Sequence, residues 1–333
     1  MTLMARRKKI FLNIFISLII PVIIYFGIAS VLIATGKPDK STTIRQNLDF
    51  KKLYFDYSSL PELKSFKARD GKELNYRYYP AQSNKTVILL HGSGWHSQYF
   101  LPLAEFISSE NLANVYTPDL CGHGHNPDRR GDVDYIDQLE DDIADFINVI
   151  KEINPGTTII LGGHSSGGGL AIRFAGSKYN KQVDGYLLLS PFLKYNAPTV
   201  RPNSGDWAKP YTGRIVGLSM LNNVGIRWFN YLTVIEFNMP QEARDGTETL
   251  SYTFRMNTAY APRNYKKDLG AIYQPLLVVA GTGDESFYAG QFEPVISKYT
   301  KTEVALLEGV SHMGVVVGEE TQPAIKEWLE DLN

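Results

Sequence analysis

A glycine-rich stretch directly after a short apolar run sets the strongest constraint on the fold of this 333-residue chain. Residues 157–161 read Thr-Thr-Ile-Ile-Leu, and residues 162–169 read Gly-Gly-His-Ser-Ser-Gly-Gly-Gly. A buried strand that turns sharply into a helix needs glycine wherever a Cβ atom would clash. The pattern Gly163-His164-Ser165-Ser166-Gly167 therefore predicts a tight strand-to-helix turn that exposes the Ser165 hydroxyl. A phosphate-binding turn is the alternative, but the full dinucleotide and P-loop patterns are absent.

Short apolar runs of the same kind alternate with helical patterns along most of the chain. We expect strands at residues 86–90, 114–117, 157–161, 186–189, 275–280 and 303–307, preceded by a hairpin over 66–79. Apolar residues recur at helical spacing between 135 and 153. Strands that alternate with helices predict an α/β fold with a doubly wound, mostly parallel sheet. Ligands bind such a sheet at the C-terminal ends of its strands.

Two of those strand ends supply the groups that a serine nucleophile needs. His312 is the only histidine downstream of Ser165, and it follows the last expected strand. Asp284 follows the strand at 275–280, with Glu285 as the alternative acid. The chain order of serine, acid and histidine is that of the strand–turn–helix type of triad. We predict Ser165 as nucleophile, His312 as general base and acid, and Asp284 as the acid that orients the imidazole.

The loop after the strand at 86–90 predicts an oxyanion hole. Acyl transfer places negative charge on the substrate carbonyl oxygen, and backbone N–H groups stabilise that charge without reorganising. The residue after the nucleophile and a residue of this loop supply such groups in this type of site. We assign the role to the N–H groups of Ser166 and Ser93, with Gly94 as the alternative to Ser93.

These motifs give the chain, from about residue 66 to its C-terminus, a resemblance to the α/β-hydrolase superfamily. It is similar to the monoacylglycerol lipase, lysophospholipase and serine-aminopeptidase-like branch. The matching stretches are 91–97, 118–124, 163–168, 281–284 and 311–312. By this resemblance Ser165, Asp284 and His312 fall on the family triad and Ser93 and Ser166 on its oxyanion hole. No cofactor and no metal is implied.

Two residues depart from the family pattern, and one motif offers a rival chemistry. Cys121, the only cysteine, stands where the family often has arginine, and Trp95 stands where monoacylglycerol lipases often have an acidic residue. A single cysteine excludes an intramolecular disulfide. His123, His125 and Asp128 lie close enough in sequence to bind a metal that activates water, which is the metallohydrolase alternative.

The N-terminus predicts a membrane segment. Ile10–Thr35 contains 20 apolar residues in 26 and no charged residue, which is long enough to span a bilayer. The basic residues at positions 6–9 favour a cytoplasmic N-terminus and an exoplasmic catalytic domain. A signal peptide cleaved at Gly27-Ile28-Ala29 is the alternative, and it would yield a secreted protein.

We expect six regions, one of which is an inserted cap. The cap is an insertion that interrupts the alternation of strands and helices, and we expect it to be helical. Its apolar residues either line an acyl pocket or pack the cap onto the core. They are Ile215, Leu218, Leu221, Ile226, Phe229 and Leu232. The regions are a basic tail at 1–9, an anchor at 10–35, a stalk or edge segment at 36–60, core at 61–190, the cap at 191–267 and core at 268–333.

The expected function is a membrane-anchored serine hydrolase that cleaves carboxylic esters of lipids or other apolar acyl compounds, similar to monoacylglycerols or lysophospholipids. Its partners are the acyl-ester substrate and the bilayer, reached through residues 10–35. Amide or peptide hydrolysis and acyl transfer on the same triad are alternatives, and a non-catalytic binding domain is another. The net charge of −1 argues against a nucleic-acid-binding protein that depends on overall basicity.

Overall fold

The structure is a computed structural model that describes residues 3–38, 48–125, 127–202 and 207–332. The strands are β1 (Lys64–Lys67), β2 (Glu73–Tyr79), β3 (Lys85–Leu90), β4 (Asn114–Pro118), β5 (Thr158–His164), β6 (Gly185–Leu189), β7 (Ala208–Pro210), β8 (Thr233–Phe237), β9 (Ser251–Thr253), β10 (Leu276–Gly281) and β11 (Glu303–Leu307). The helices are α1 (Leu3–Thr35), α2 (Leu101–Ser109), α3 (Gln138–Ile153), α4 (Ser166–Ala175), α5 (Thr212–Asn223), α6 (Phe254–Tyr260), α7 (Tyr265–Leu269), α8 (Phe292–Ile296), α9 (Gly314–Val317) and α10 (Gln322–Asp331).

Eight strands form the central sheet in the order β1-β2-β4-β3-β5-β6-β10-β11. The hairpin strands β1 and β2 are antiparallel, and β2 is antiparallel to β4, whereas the other neighbours are parallel. The register pairs Leu90 with Gly163 and His164 with Leu189. The C-terminal ends of β3, β5, β6 and β10 therefore lie side by side at one end of the sheet. The predicted doubly wound sheet is confirmed.

The core lies between this sheet and the helices that cover it. The residues of β4, β6 and β10 are all buried, as a strand covered on both faces requires. On one side α3 places Phe146 against Phe66 at a ring distance of 4.6 Å and against Tyr76 at 4.9 Å. This packing fixes the strands from which the functional loops project.

The cap is not only helical, which corrects the sequence expectation. Besides α5, α6 and α7 it contains a three-stranded antiparallel sheet in the order β7-β8-β9. Strand β8 has the sequence Thr-Val-Ile-Glu-Phe, with Val234 and Phe237 buried. The strands of this sheet are three to five residues long, so their alternation is too brief to stand out beside the helical pattern of α5.

Helix α5 packs on α1 instead of lining an acyl pocket. A Cβ atom at Gly217 would lie 2.7 Å from the Ala29 carbonyl oxygen, so only glycine allows the two helices this close. Leu218 is fully buried in a small cluster that Ile33 and Ile215 cover. Gly213 and Gly217 form a Gly-x-x-x-Gly pair, the spacing that brings helices together in membranes. The sequence predicted neither helix as a partner of the other, because the contact between α5 and α1 joins segments that are distant in sequence.

The N-terminal part of the chain adheres to the domain. Of the predicted stalk or edge segment at 36–60, residues 39–47 lie outside the described residues. Leu48, Phe50 and Leu53 are buried, and the Phe50 ring lies 5.2 Å from that of Trp207. Residues 48–53 therefore pack against the cap instead of projecting as a free stalk. Helix α1 begins within the predicted basic tail and ends at Thr35, where the predicted anchor ends.

Candidate active site

Ser165 occupies the sharp turn between β5 and α4. Its backbone has φ 54° and ψ −117°, a conformation that L-residues rarely adopt. Three hydrogen bonds hold the turn, from the Ser165 N–H to the Leu189 carbonyl (2.9 Å) and from the N–H groups of Gly169 (3.0 Å) and Phe192 (2.8 Å) to the Ser165 carbonyl. At Gly167 a Cβ atom would lie 2.5 Å from the His91 carbonyl oxygen, so glycine is required there. This geometry raises the Ser165 hydroxyl above the sheet edge.

His312 and Asp284 are joined by a hydrogen bond. His312 Nδ1 lies 2.8 Å from Asp284 Oδ2, and both side chains are buried. Asp284 Oδ1 accepts the N–H groups of Ser286 (2.8 Å) and Phe287 (2.9 Å). Burial alone would raise the pKa of Asp284, but His312 and these N–H groups hold it below its ordinary value. The carboxylate can thus stay ionised while it orients the ring.

Glu285, the alternative acid, binds backbone instead of the imidazole. Its Oε2 accepts the His312 N–H at 2.9 Å, and its Oε1 accepts the Asp49 N–H at 3.2 Å. His164 supports the same loop, because its Nε2 lies 3.1 Å from the His312 carbonyl oxygen. Burial, and next the proximity of His312, hold the pKa of His164 well below its ordinary value, so His164 is neutral. Glu285 and His164 therefore fix the backbone that carries His312.

The loop at residues 91–94 is fastened by three tyrosines, two of them from the cap. The Gly92 N–H donates to Tyr99 Oη (2.8 Å), and the Gly94 N–H donates to Tyr252 Oη (3.0 Å). Tyr260 Oη donates to the His91 carbonyl at 2.6 Å. Gly94 is thus already engaged, whereas no partner for the Ser93 N–H is found within the part of the chain that the structure describes. The geometry favours Ser93 over Gly94 as a donor to an oxyanion.

Ser165 and His312 both line a cleft of about 640 Å³ under the cap. Its wall is mostly apolar and includes Ser93, Ser166, Phe192, Trp207, Ala208, Ile235, Phe237, Tyr252, Tyr260 and Phe287. Both residues whose N–H groups are predicted for the oxyanion hole therefore lie at the same cleft as the hydroxyl and the imidazole. A smaller cavity of about 280 Å³ adjoins this cleft and is lined by Leu48, Trp95 and Tyr99 in addition to Ser165 and His312.

The predicted metal motif does not assemble. His123 is buried and its Nε2 lies 2.7 Å from Tyr252 Oη, whereas Asp128 is exposed. His125 instead faces Asp119, which also faces His96, and the three side chains offer ligand atoms within 4.8 Å of one another. Within the described residues this is the one group able to hold a metal ion. None of these three residues lines the cleft in which Ser165 and His312 lie.

The two residues that depart from the family pattern are both buried. Cys121 Sγ lies 3.5 Å from Gln138 Nε2, and burial raises the pKa of the thiol to about 12, so the thiolate is not available near neutral pH. Trp95 stacks beside His96 at a ring distance of 5.8 Å. Neither touches Asp284 or His312 through a hydrogen bond.

Sequence reasoning missed the residues that position the site. Tyr252, Tyr260 and Trp207 come from the cap, and Trp207 Nε1 lies 3.4 Å from Ser93 Oγ. No local pattern marks them, because their contacts join segments more than 100 residues apart. The arrangement as a whole can activate a hydroxyl, orient the base and stabilise an oxyanion, which is the chemistry of acyl transfer.

Comparison with known proteins finds similar sequences over most of the domain that carries this site. The sequence model of the family described as serine aminopeptidase, S33, matches residues 81–315. Human monoglyceride lipase is 29% identical over 168 residues, which is 50% of this chain and 52% of the lipase. The chain thus spans about half the length of this curated relative.

Solved structures show the same fold. A soluble variant of monoglyceride lipase from Saccharomyces cerevisiae, in complex with a substrate analog, has a TM-score of 0.64 at 18% identity and covers 84% of this chain and 98% of that chain. A membrane phospholipase A has a TM-score of 0.56 at 17% identity and covers 98% of this chain and 99% of that chain. The predicted α/β-hydrolase fold is confirmed.

Proposed function

The chain belongs to the serine aminopeptidase S33 family of α/β-hydrolases, in its monoglyceride-lipase-like branch, and on that basis we propose that it is a membrane-anchored serine hydrolase of apolar carboxylic esters. The observation that carries the proposal is one cleft lined by Ser165 and His312, with Asp284 bonded behind the imidazole. The predicted resemblance to this branch is confirmed.

In the proposed reaction the Ser165 hydroxyl oxygen attacks the ester carbonyl carbon while His312 Nε2 accepts the hydroxyl proton. Asp284 holds the Nδ1 proton and stabilises the imidazolium that forms. The N–H groups of Ser93 and Ser166 stabilise the oxyanion. The intermediate then expels the alcohol, which takes the proton from His312 and leaves an acyl group on Ser165. Water, deprotonated by His312, releases the carboxylic acid and restores the serine.

The cleft wall supports an apolar acyl substrate. Phe192, Trp207, Ile235 and Phe237 present apolar surface beside Ser165. The described part of the wall contains no Asp or Glu, so it offers no carboxylate to bind the charged amino group of a peptide N-terminus. This lining supports ester hydrolysis over aminopeptidase activity, and the name of the human relative supports a monoacylglycerol-like ester.

The N-terminal helix supports the anchor over the cleaved signal peptide. Ile10–Thr35 is long and apolar enough to cross a membrane. Cleavage after Ala29 would remove Tyr25, whose Oη donates to the Met220 carbonyl, and Ala29, whose carbonyl oxygen abuts Gly217. A helix retained for packing is a permanent anchor. We propose a cytoplasmic N-terminus and an exoplasmic catalytic domain.

A substrate panel tests the proposal. Purified full-length protein in detergent is given monoacylglycerols of increasing chain length, matched acyl amides and short soluble esters. We expect ester hydrolysis with a preference for apolar acyl chains, lost in Ser165→Ala. An equal or higher kcat/KM for the amides would replace the ester proposal. Absence of hydrolysis of every compound by folded protein would overturn it.

A further inference from the structure

A loop of the cap exposes an unusual amount of aromatic surface. Residues 224–231, here called the aromatic loop, follow α5. Trp228 is 81% exposed, Tyr231 55% and Phe229 42%. The loop also carries an exposed Arg227. Tryptophan, tyrosine and arginine together are typical of segments at the membrane–water interface.

The loop is ordered by hydrogen bonds of its own. Asn222 Nδ2 donates to Asn230 Oδ1 (2.7 Å), and Asn230 Nδ2 donates to Asn222 Oδ1 (2.9 Å). The Ile226 N–H donates to the Leu221 carbonyl at 2.9 Å. These bonds tie the loop to the end of α5, so the aromatic side chains project from a fixed base.

Helix α5 directs this loop towards the part of α1 that would lie in the membrane. Arg214 Nε donates to the Ile33 carbonyl (3.3 Å), Gly217 abuts Ala29, and Tyr25 Oη donates to the Met220 carbonyl (2.7 Å). Residue numbers rise along α5 as they fall along α1, so the helices are antiparallel. The aromatic loop therefore lies beyond Tyr25, towards the N-terminal half of the anchor.

The length of the anchor shows where the bilayer must reach. The part of the apolar segment not covered by α5, residues 10–24, has 15 residues, or about 22 Å of helix. A hydrocarbon core is about 30 Å thick. A bilayer that accommodates α1 must therefore extend along the segment on which α5 packs, and it reaches the level of the aromatic loop.

We propose that the aromatic loop inserts into the interfacial layer of the exoplasmic leaflet, as a second membrane contact beside α1. The partner is phospholipid, with Trp228, Phe229 and Tyr231 among the upper acyl chains and Arg227 at the phosphates. This inference rests on the proposed anchoring. The loop continues directly into β8, whose Ile235 and Phe237 line the cleft. The contact thus places one wall of the cleft close to the lipid from which an ester substrate would come.

Tryptophan fluorescence tests the contact without any use of catalysis. Trp228 is the exposed tryptophan, whereas Trp95, Trp207 and Trp328 are 6%, 9% and 4% exposed. Full-length protein is reconstituted in phosphatidylcholine vesicles in which a fraction of the lipid carries a spin label near the headgroup. We expect strong quenching in the wild type and loss of most of it in Trp228→Phe. Equal quenching in both proteins would overturn the proposal.

A second outcome would also overturn it. If spin-labelled lipid does not quench Trp228, and Trp228→Asp converts a dimer into a monomer in detergent, the loop binds a second copy of the chain. The quenching result decides the lipid contact whether or not the protein hydrolyses esters, so it is separable from failure of the proposed function.

Kinetics on two forms of substrate test the consequence for the cleft. In Trp228→Asp/Tyr231→Asp we expect kcat/KM for a monoacylglycerol embedded in vesicles to fall roughly tenfold, because interfacial binding scales with buried apolar area. Hydrolysis of a short soluble ester should be unchanged. Tyr273→Asp is the matched control. Tyr273 is 72% exposed and lies just before the N-terminal end of β10, whereas the cleft lies at the C-terminal ends of the strands. An equal fall on both substrates would contradict the proposal.

Discussion

Two buried aspartates at strand ends each face histidine in this protein, and they differ in how closely they do so. Asp284 follows β10 and binds the His312 Nδ1 at 2.8 Å. Asp119 follows β4 and lies between two imidazoles, with His96 Nδ1 3.8 Å away and His125 Nδ1 3.8 Å away. Only the first pair includes a histidine that lines the same cleft as Ser165, a serine with a strained backbone.

The difference shows that proximity of a histidine to a carboxylate does not make a catalytic pair. Burial would raise the pKa of Asp119, but the side chain of His125 and the neighbouring His96 hold it well below its ordinary value. Burial lowers the pKa of His96 to about 4, so its ring is neutral at physiological pH. Asp119 Oδ1 accepts the Ser97 N–H at 2.9 Å, which supports the loop after β3. Asp119 organises that loop, whereas Asp284 binds the imidazole that we propose as the base.

The largest effect is expected from removing the hydroxyl of Ser165, the proposed nucleophile, which shares a cleft with His312. Ser165→Ala should lower kcat by about 10⁴-fold or more, because the oxyanion hole and substrate binding alone remain. Ser166→Ala is the matched control, since it keeps the backbone N–H that the proposal uses. Ester hydrolysis measured for both variants at equal folded concentration checks this. Comparable activity of Ser165→Ala and wild type would remove the basis of the triad.

The next effect compares the two aspartates directly. Asp284→Asn should lower kcat by about 10⁴-fold, because the amide favours the wrong imidazole tautomer. Asp119→Asn retains an acceptor for the Ser97 N–H and should change kcat by roughly threefold or less, with its main effect on thermal unfolding. Steady-state kinetics and melting curves of both variants separate catalysis from stability. If Asp119→Asn lost activity as severely as Asp284→Asn at full folding, the contrast drawn between the two pairs would be wrong.

A smaller loss is expected from a change in the loop after β3, at residues 91–94. Ser93→Pro removes the backbone N–H proposed for the oxyanion hole and should reduce kcat by about 10²–10³-fold. Ser93→Ala keeps that N–H and should be nearly as active as wild type. Circular dichroism confirms that both variants are folded. Near-normal kcat in Ser93→Pro would show that another N–H group donates to the oxyanion. Gly94 would be excluded as that donor if its N–H stays bonded to Tyr252 in the variant.

The smallest expected effect is on the pH dependence of thermal stability, through the pair formed by Asp119 and His125. The Asp119 carboxylate, 3.8 Å from His125 Nδ1, raises the pKa of His125, so the contribution of this pair to stability is present below the unfolded value near 6.5 and is lost as pH rises through the folded value. His125→Gln should remove this change, which amounts to about one degree in melting temperature for a partly exposed pair. Melting curves at pH 5.5 and 8.5 measure it. An identical pH dependence in the variant would show that His125 does not contribute.

The sequence predicted the parts of this molecule that local chemistry determines. Apolar runs marked all the parallel strands, and the residues after them supplied Ser165, Asp284 and His312, which the structure brings to one edge of the sheet. The cap resisted prediction for a physical reason. The Gly213 and Gly217 contacts with α1, and the tyrosines that hold the loop at 91–94, join distant segments, and no periodicity records them.

The same reason explains the metal motif. His123 and His125 are two residues apart, but Gly124 between them has φ 58°, and the two rings face different neighbours, Tyr252 and Asp119. Sequence spacing alone suggested a shared site. The functional roles of the triad and oxyanion residues stay predictions that the geometry supports.

The central claim is that Ser165 is an activated nucleophile, and mass spectrometry of protein treated with a fluorophosphonate tests it most directly. We expect one phosphonyl adduct per chain, located on Ser165 and prevented by prior acylation with a slow ester substrate. Folded protein that hydrolyses esters yet carries no adduct, or carries it on a residue other than Ser165, would contradict the account.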